Sequence, residues 1–284
     1  MQFLQRSFDF YLKASVHVAL AVLSLVYVGS KSLNISLDLP LAITVFCGTL
    51  MCYNFIKYGE SATYYFWVTQ KAFVPMQMLS VLAGIFGAYG LISLSNLSFG
   101  VLMTMIFLTG LYALPMLPSK KNLRSIGGIK MSVVAVVWAM ASVLLPLSTL
   151  GTDLFTEALV LDFFWVGVLG LFLAHFILVW VLMIPFEIRD FKTDPMEVKN
   201  IVQRYGLKKT TYLGALMTLV FVGLQLFNAA ILEWRFSEIV LQLAIGMLLI
   251  ASVFLAARLK WPYFAEFWVE SIPIFYAFCW FLLS

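Results

Sequence analysis

Three carboxylates fall on one helical face in Pro185-Phe186-Glu187-Ile188-Arg189-Asp190-Phe191-Lys192-Thr193-Asp194-Pro195. Glu187, Asp190 and Asp194 stand at relative positions 0, 3 and 7, so a helix projects all three to the same side. Acids gathered in this way at a membrane boundary repel one another unless a cation sits among them. Mg2+ suits such a place, because it takes a few carboxylates and leaves its other positions to water and phosphate oxygens. The chemistry indicated is a Mg2+–diphosphate site, with Glu187, Asp190 and Asp194 as metal ligands and Asp190 and Asp194 as the catalytic pair. Asp194 has a second reading. Asp194-Pro195-Met196-Glu197 also fits an N-cap, a proline at N1 and a glutamate at N3, opening a short helix from Pro195 to Tyr205 that ends at Gly206. Asp190 has no such local role, and Glu187 follows Pro185, where a helix would bend.

The second polar stretch is Cys52-Tyr53-Asn54-Phe55-Ile56-Lys57-Tyr58-Gly59-Glu60. Asn54 and Lys57 are three residues apart, and a lysine on that face can meet a diphosphate directly. Together with Lys120, Lys121 and Arg124 it would supply fixed positive charge in place of one metal ion. Lys57 equally fits an anchor that ends an apolar run and snorkels to the interface. Lys130 carries the same two readings. His17 and His175 lie inside apolar runs with no carboxylate beside them, which suits hydrogen bonding between helices better than catalysis or haem ligation. Glu266 and Glu270, four apart, share a face and suit a cation or a polar head group, although Glu266 also suits a simple interface marker. Cys47, Cys52 and Cys279 lie in apolar runs without a Cys-x-x-Cys pattern, as expected of packed thiols.

The elements that position these residues follow from composition. Apolar residues make up 63% of the 284-residue chain and charged residues 11%, against roughly 45–50% and 25% in soluble domains. So few charges cannot cover a soluble surface, which excludes a soluble enzyme, a disordered tail and a disulfide-stapled secreted domain. The apolar runs are continuous and do not alternate, which argues against a β-barrel. About 20 apolar residues span the hydrocarbon layer, and nine such runs are read at 12–30, 40–57, 73–94, 98–117, 129–147, 162–186, 210–231, 237–257 and 263–283. The expectation is an all-α polytopic membrane protein, a single nine-helix domain over 1–284. The first run has no cleavage pattern before it and reads as a retained helix. With the amino terminus inside, sixteen of the eighteen Lys and Arg fall in cytoplasmic segments, leaving Lys31 and Arg235 outside. That bias predicts the cytoplasmic (inner) membrane, a cytoplasmic amino terminus and an extracytoplasmic carboxyl terminus.

Nine spans, the Asp190-x-x-x-Asp194 segment after the sixth, and Gly206-Leu207-Lys208-Lys209-Thr210 resemble the UbiA superfamily of intramembrane prenyltransferases. The stretch from Leu111-Tyr112-Ala113-Leu114-Pro115 through Lys120-Lys121-Asn122-Leu123-Arg124 to Gly128-Ile129-Lys130 is similar to that family's Tyr/Pro/Lys loop between spans four and five. The resemblance implies a UbiA-like bundle holding an isoprenyl diphosphate, with Mg2+ between two acidic motifs and ionisation of the allylic C–O bond before attack by an acceptor. It implies a Mg2+-dependent prenyltransferase, with Asn54, Lys57, Lys120, Lys121, Arg124 and Lys130 at the diphosphate. The chain departs from the first family motif, Asn-Asp-x-x-Asp-x-x-x-Asp. With Asn54 as its first residue, Phe55, Tyr58 and Ala62 stand where the three aspartates belong, and only Glu60 lies nearby. Half of a two-sided clamp on the leaving group is missing. The alternative is a catalytically inactive UbiA-like scaffold or lipid-binding subunit of a membrane complex. A small transporter fits less well, since the acids cluster at one face and not at the midplane. The expected partners are membrane lipid, an isoprenyl diphosphate and other membrane proteins, with no nucleic acid.

Overall fold

The computed structural model describes residues 2–58, 74–114, 122–125, 128–150, 162–193, 200–259 and 261–283, and these residues are helical with short connections. Asp194, Lys120, Lys121 and Glu60 lie outside them. The helices are α1 (Gln2–Lys13), α2 (Val16–Ser32), α3 (Leu39–Tyr58), α4 (Val74–Ile92), α5 (Asn96–Ala113), α6 (Ile129–Leu147), α7 (Asp162–Asp190), α8 (Ile201–Tyr205), α9 (Leu207–Ile231), α10 (Phe236–Arg258) and α11 (Phe264–Leu283). Eight helices among the described residues are long and apolar enough to cross a membrane, and α2 joined to α1 makes a ninth. The chain is an integral membrane protein of the expected all-α class.

The first span is redrawn. The run at 12–30 breaks at Ser15, which adopts the left-handed conformation with φ of 60°. The chain there bends by 57° between the two helices. Before the bend α1 is amphipathic: Tyr11 and Leu12 turn inward, while Gln5, Arg6 and Lys13 are exposed. The sixth span is also longer than its apolar run. α7 continues through Pro185 to Asp190, about 43 Å at 1.5 Å per residue, against a hydrocarbon layer of roughly 30 Å. Its surplus turns carry Glu187 and Asp190. The helix start expected at Pro195, with its Asp194 cap, lies outside the described residues. The described helix α8 starts at Ile201, because Asn200 caps it reciprocally with Gln203. It ends at Gly206 as expected, with φ of 81°.

α7 packs against α6, α9 and α10, while α2 packs against α3, α11 and a π-helical turn of α6 at Met140–Leu144. The core runs along these contacts through Leu25, Leu178, Ile184, Phe221, Ile245 and Leu249, all essentially inaccessible. α4 and α5 lie at the periphery and leave Met78, Ile85, Tyr89, Ile106 and Phe107 exposed, as suits lipid-facing positions. The polar ends of α3, α6, α7 and α11 meet at one end of the bundle.

Candidate functional site

At that end, the acids of α7 are held by side-chain cations. Glu187 is buried, and its Oε1 lies 2.9 Å from Lys130 Nζ at the foot of α6. The Asn200 side chain donates to the Glu187 carbonyl, and Gln203 donates to the Phe191 carbonyl, so α8 closes the end of α7. Asp190 accepts two hydrogen bonds from its neighbour Arg189, from Nε at 2.6 Å and Nη2 at 2.9 Å. The remaining nitrogen, Arg189 Nη1, donates to Glu266 of α11 at 2.7 Å. Arg189 thus holds its neighbour Asp190 in the fork geometry a guanidinium favours and ties α7 to α11 through Glu266.

Each of the two described acids at this end of α7 has a cation beside it. Lys130 compensates Glu187 and Arg189 compensates Asp190, and no three His, Cys, Asp or Glu among the described residues stand close enough to share an ion. Asp194, the third ligand expected of a Mg2+ site, lies outside the described residues. Lys130, read as a diphosphate contact or an anchor, is an ion-pair partner.

On α3 the residues diverge. Asn54 is buried against α4, where its amide donates to Ser80 Oγ at 3.1 Å. It takes a separate partner from Lys57, although three residues along a helix lie only about 60° apart around its axis. Tyr53 and Lys57, four apart on α3, reach α6 and α1 at this end. Tyr53 OH accepts from Trp138 Nε1 of α6 at 3.0 Å. Lys57 donates to the Leu12 carbonyl of α1 at 3.2 Å, and Glu270, Glu266 and Arg189 are its charged neighbours. Tyr112, at the end of α5, has Arg124, Lys130 and Glu187 as charged neighbours. Arg189 and Tyr53 were not picked out from the sequence, whereas Glu270 was paired there with Glu266 and Tyr112 was read within the Tyr/Pro/Lys loop. The i, i+4 spacing of Tyr53 and Lys57 is the signal that carries Tyr53.

α1 crosses the same end. Its Asp9 accepts a 2.6 Å hydrogen bond from Tyr263, just before α11, and this bond is the first cause holding the Tyr263 phenol above its ordinary range. Phe8 packs edge-on against Tyr263 and Phe267. Tyr11 OH donates to His17 Nδ1 at 2.7 Å, since His17 Nε2 must donate to the Phe267 carbonyl at 3.0 Å. Tyr58 donates to the Lys13 carbonyl at 3.0 Å. His175 bonds Ser142 in the π turn of α6 at 2.8 Å. Both histidines therefore join helices.

No protein-family model matches the chain, and no curated protein matches it in sequence. Its fold is similar to that of a UbiA homologue from Archaeoglobus fulgidus solved with GPP and Mg2+. The TM-score is 0.59 at 12% identity, over 96% of this chain and 98% of that one. The same homologue bound to DMAPP and Mg2+ superposes with a TM-score of 0.58 over the same shares of the chains, again at 12% identity. The chain has the UbiA fold.

Proposed function

We propose that this protein binds an isoprenyl diphosphate at the polar end of its bundle, on the cytoplasmic side of the inner membrane. The diphosphate is held chiefly by fixed cations in place of a two-sided Mg2+ clamp. One observation carries the reading: in a fold whose solved examples hold GPP or DMAPP with Mg2+, the acids of α7 are compensated by Lys130 and Arg189. Lys57 is the central cation, because an ammonium has three donors, and it stands on the helix whose family motif would carry acids. Arg124, beside Tyr112, extends the positive surface, as Lys120 and Lys121 do in the sequence.

Binding of GPP to purified protein, with and without Mg2+, tests the reading. Affinity should persist in EDTA, somewhat weakened, and should fall further in Lys57→Gln. Unchanged affinity of folded Lys57→Gln in EDTA would remove the cation role. A second reading, a non-catalytic scaffold or lipid-binding subunit, draws on the same ion pairs together with Phe55 and Tyr58 at the family's aspartate positions. Turnover separates the two: a prenyltransferase should transfer from GPP to an aromatic acceptor and lose that transfer in Asp190→Asn. Wild-type protein that binds GPP without transfer, and that co-purifies with other membrane subunits, would favour the scaffold.

A further inference from the structure

We infer that α1 is an autoinhibitory strap: its carboxyl-terminal carbonyls occupy Lys57 and must leave before an anionic ligand can use that lysine. The last turn of a helix presents unpaired carbonyls with partial negative charge. Lys57 and Tyr58, adjacent on α3, take the carbonyls of Leu12 and Lys13, adjacent at the end of α1. Oxygen acceptors from the chain itself therefore stand where the phosphate oxygens of a ligand would meet Lys57.

The other end of the strap is tied to α11. Asp9 with Tyr263, Phe8 with Tyr263 and Phe267, and Tyr11 through His17 to the Phe267 carbonyl all join α1 and the start of α2 to one turn. That turn is π-helical, Phe264–Val269, and is preceded by Tyr263 in the left-handed conformation. α1 thus bridges α3 and α11 across the end that holds Lys57, Arg189, Glu266 and Glu270. Its junction with α2 supplies a pivot. Ser15 is buried in the left-handed conformation, which a residue with a Cβ seldom adopts, and its side chain gives α2 no cap. A strained pivot flanked by separable side-chain contacts is the construction of an element with a second position.

The competition for Lys57 rests on the diphosphate-binding reading above, so the experiment keeps the two apart. In full-length protein lacking its native cysteines, Leu12→Cys reports on the strap, because the Leu12 side chain is on the buried face of α1. Adding Asp9→Asn and Tyr263→Phe, which unties α1 without touching Lys57, should speed labelling of that cysteine by a polar maleimide several-fold. The same untied protein should bind GPP several-fold more tightly. Phe8→Cys with Phe267→Cys, bridged by a reversible bis-methanethiosulfonate, should bind GPP at least tenfold more weakly, with recovery on reduction. Labelling unchanged by untying, or GPP affinity indifferent to the bridge, overturns the strap. If no form binds GPP while labelling still responds to untying, the ligand reading falls and the movement of α1 stands.

Discussion

The ion pair between Glu187 and Lys130 shows how a residue suited to metal ligation can serve instead as structure. Glu187 keeps 3% of its side chain accessible and Lys130 18%. Removing one partner leaves an uncompensated charge in a poorly solvated place, which costs about 3–5 kcal/mol, whereas replacing both with apolar groups is often neutral. Lys130→Met should therefore lower the thermal unfolding temperature in detergent markedly, and Lys130→Met combined with Glu187→Leu should recover most of the loss. A single substitution as mild as the double one would show that the pair contributes little. The sequence discloses these charges but not their pairing. Glu187 and Lys130 lie on different helices, and no local spacing brings them together. Arg189 next to Asp190 was visible in the sequence, yet neighbours on a helix normally diverge, so its bidentate hold on Asp190 was not.

Helices were the most legible level, because each apolar run is long and nearly free of charge, and most run boundaries fall within a few residues of the helix ends. The departures have local causes: Ser15 breaks the first run, and α7 accommodates Pro185 and continues past its apolar stretch. A third feature, the π turn of α6, leaves no signature in hydropathy. It matters because α2 approaches it closely at Gly29, where an added Cβ would stand 1.7 Å from the Ser142 carbonyl oxygen. That neighbour is backbone and cannot rotate away. Gly29→Ala should force α2 from α6 and destabilise the protein by at least ~1–3 kcal/mol, the usual cost of overpacking. Gly48 of α3 has open space at the same position, so Gly48→Ala should be neutral or, through helix propensity of up to about 1 kcal/mol, stabilising. Equal unfolding midpoints for the two variants would contradict the close contact.

At the scale of the whole molecule, the number of crossings decides where the ends lie. Eight helices cross on length and apolarity alone, which would put both ends on one side, and α2 makes the count odd. Its 17 residues rise about 26 Å, slightly short of a roughly 30 Å hydrocarbon layer. Buried Leu12 and Ala14 before it, and Leu33 and Ile35 after it, extend the apolar stretch. α2 is also lined by core on two sides, against α3 and α11, as a peripheral interfacial helix would not be. A crossing α2 places α1 at the same membrane face as Lys57 and Lys130, where its contacts with α3 and α11 require it to be. The charge bias of the loops predicts that this face is the cytoplasmic one. In a cysteine-free background, Gln5→Cys and Asn122→Cys should therefore label together from the cytoplasmic side in oriented vesicles, while a tag placed after residue 284 should be accessible only from the opposite side. Labelling of Gln5→Cys and the tag from the same side would leave α2 uncrossed. The bundle would then have an even number of spans, and neither the strap nor the diphosphate end could be assembled as described.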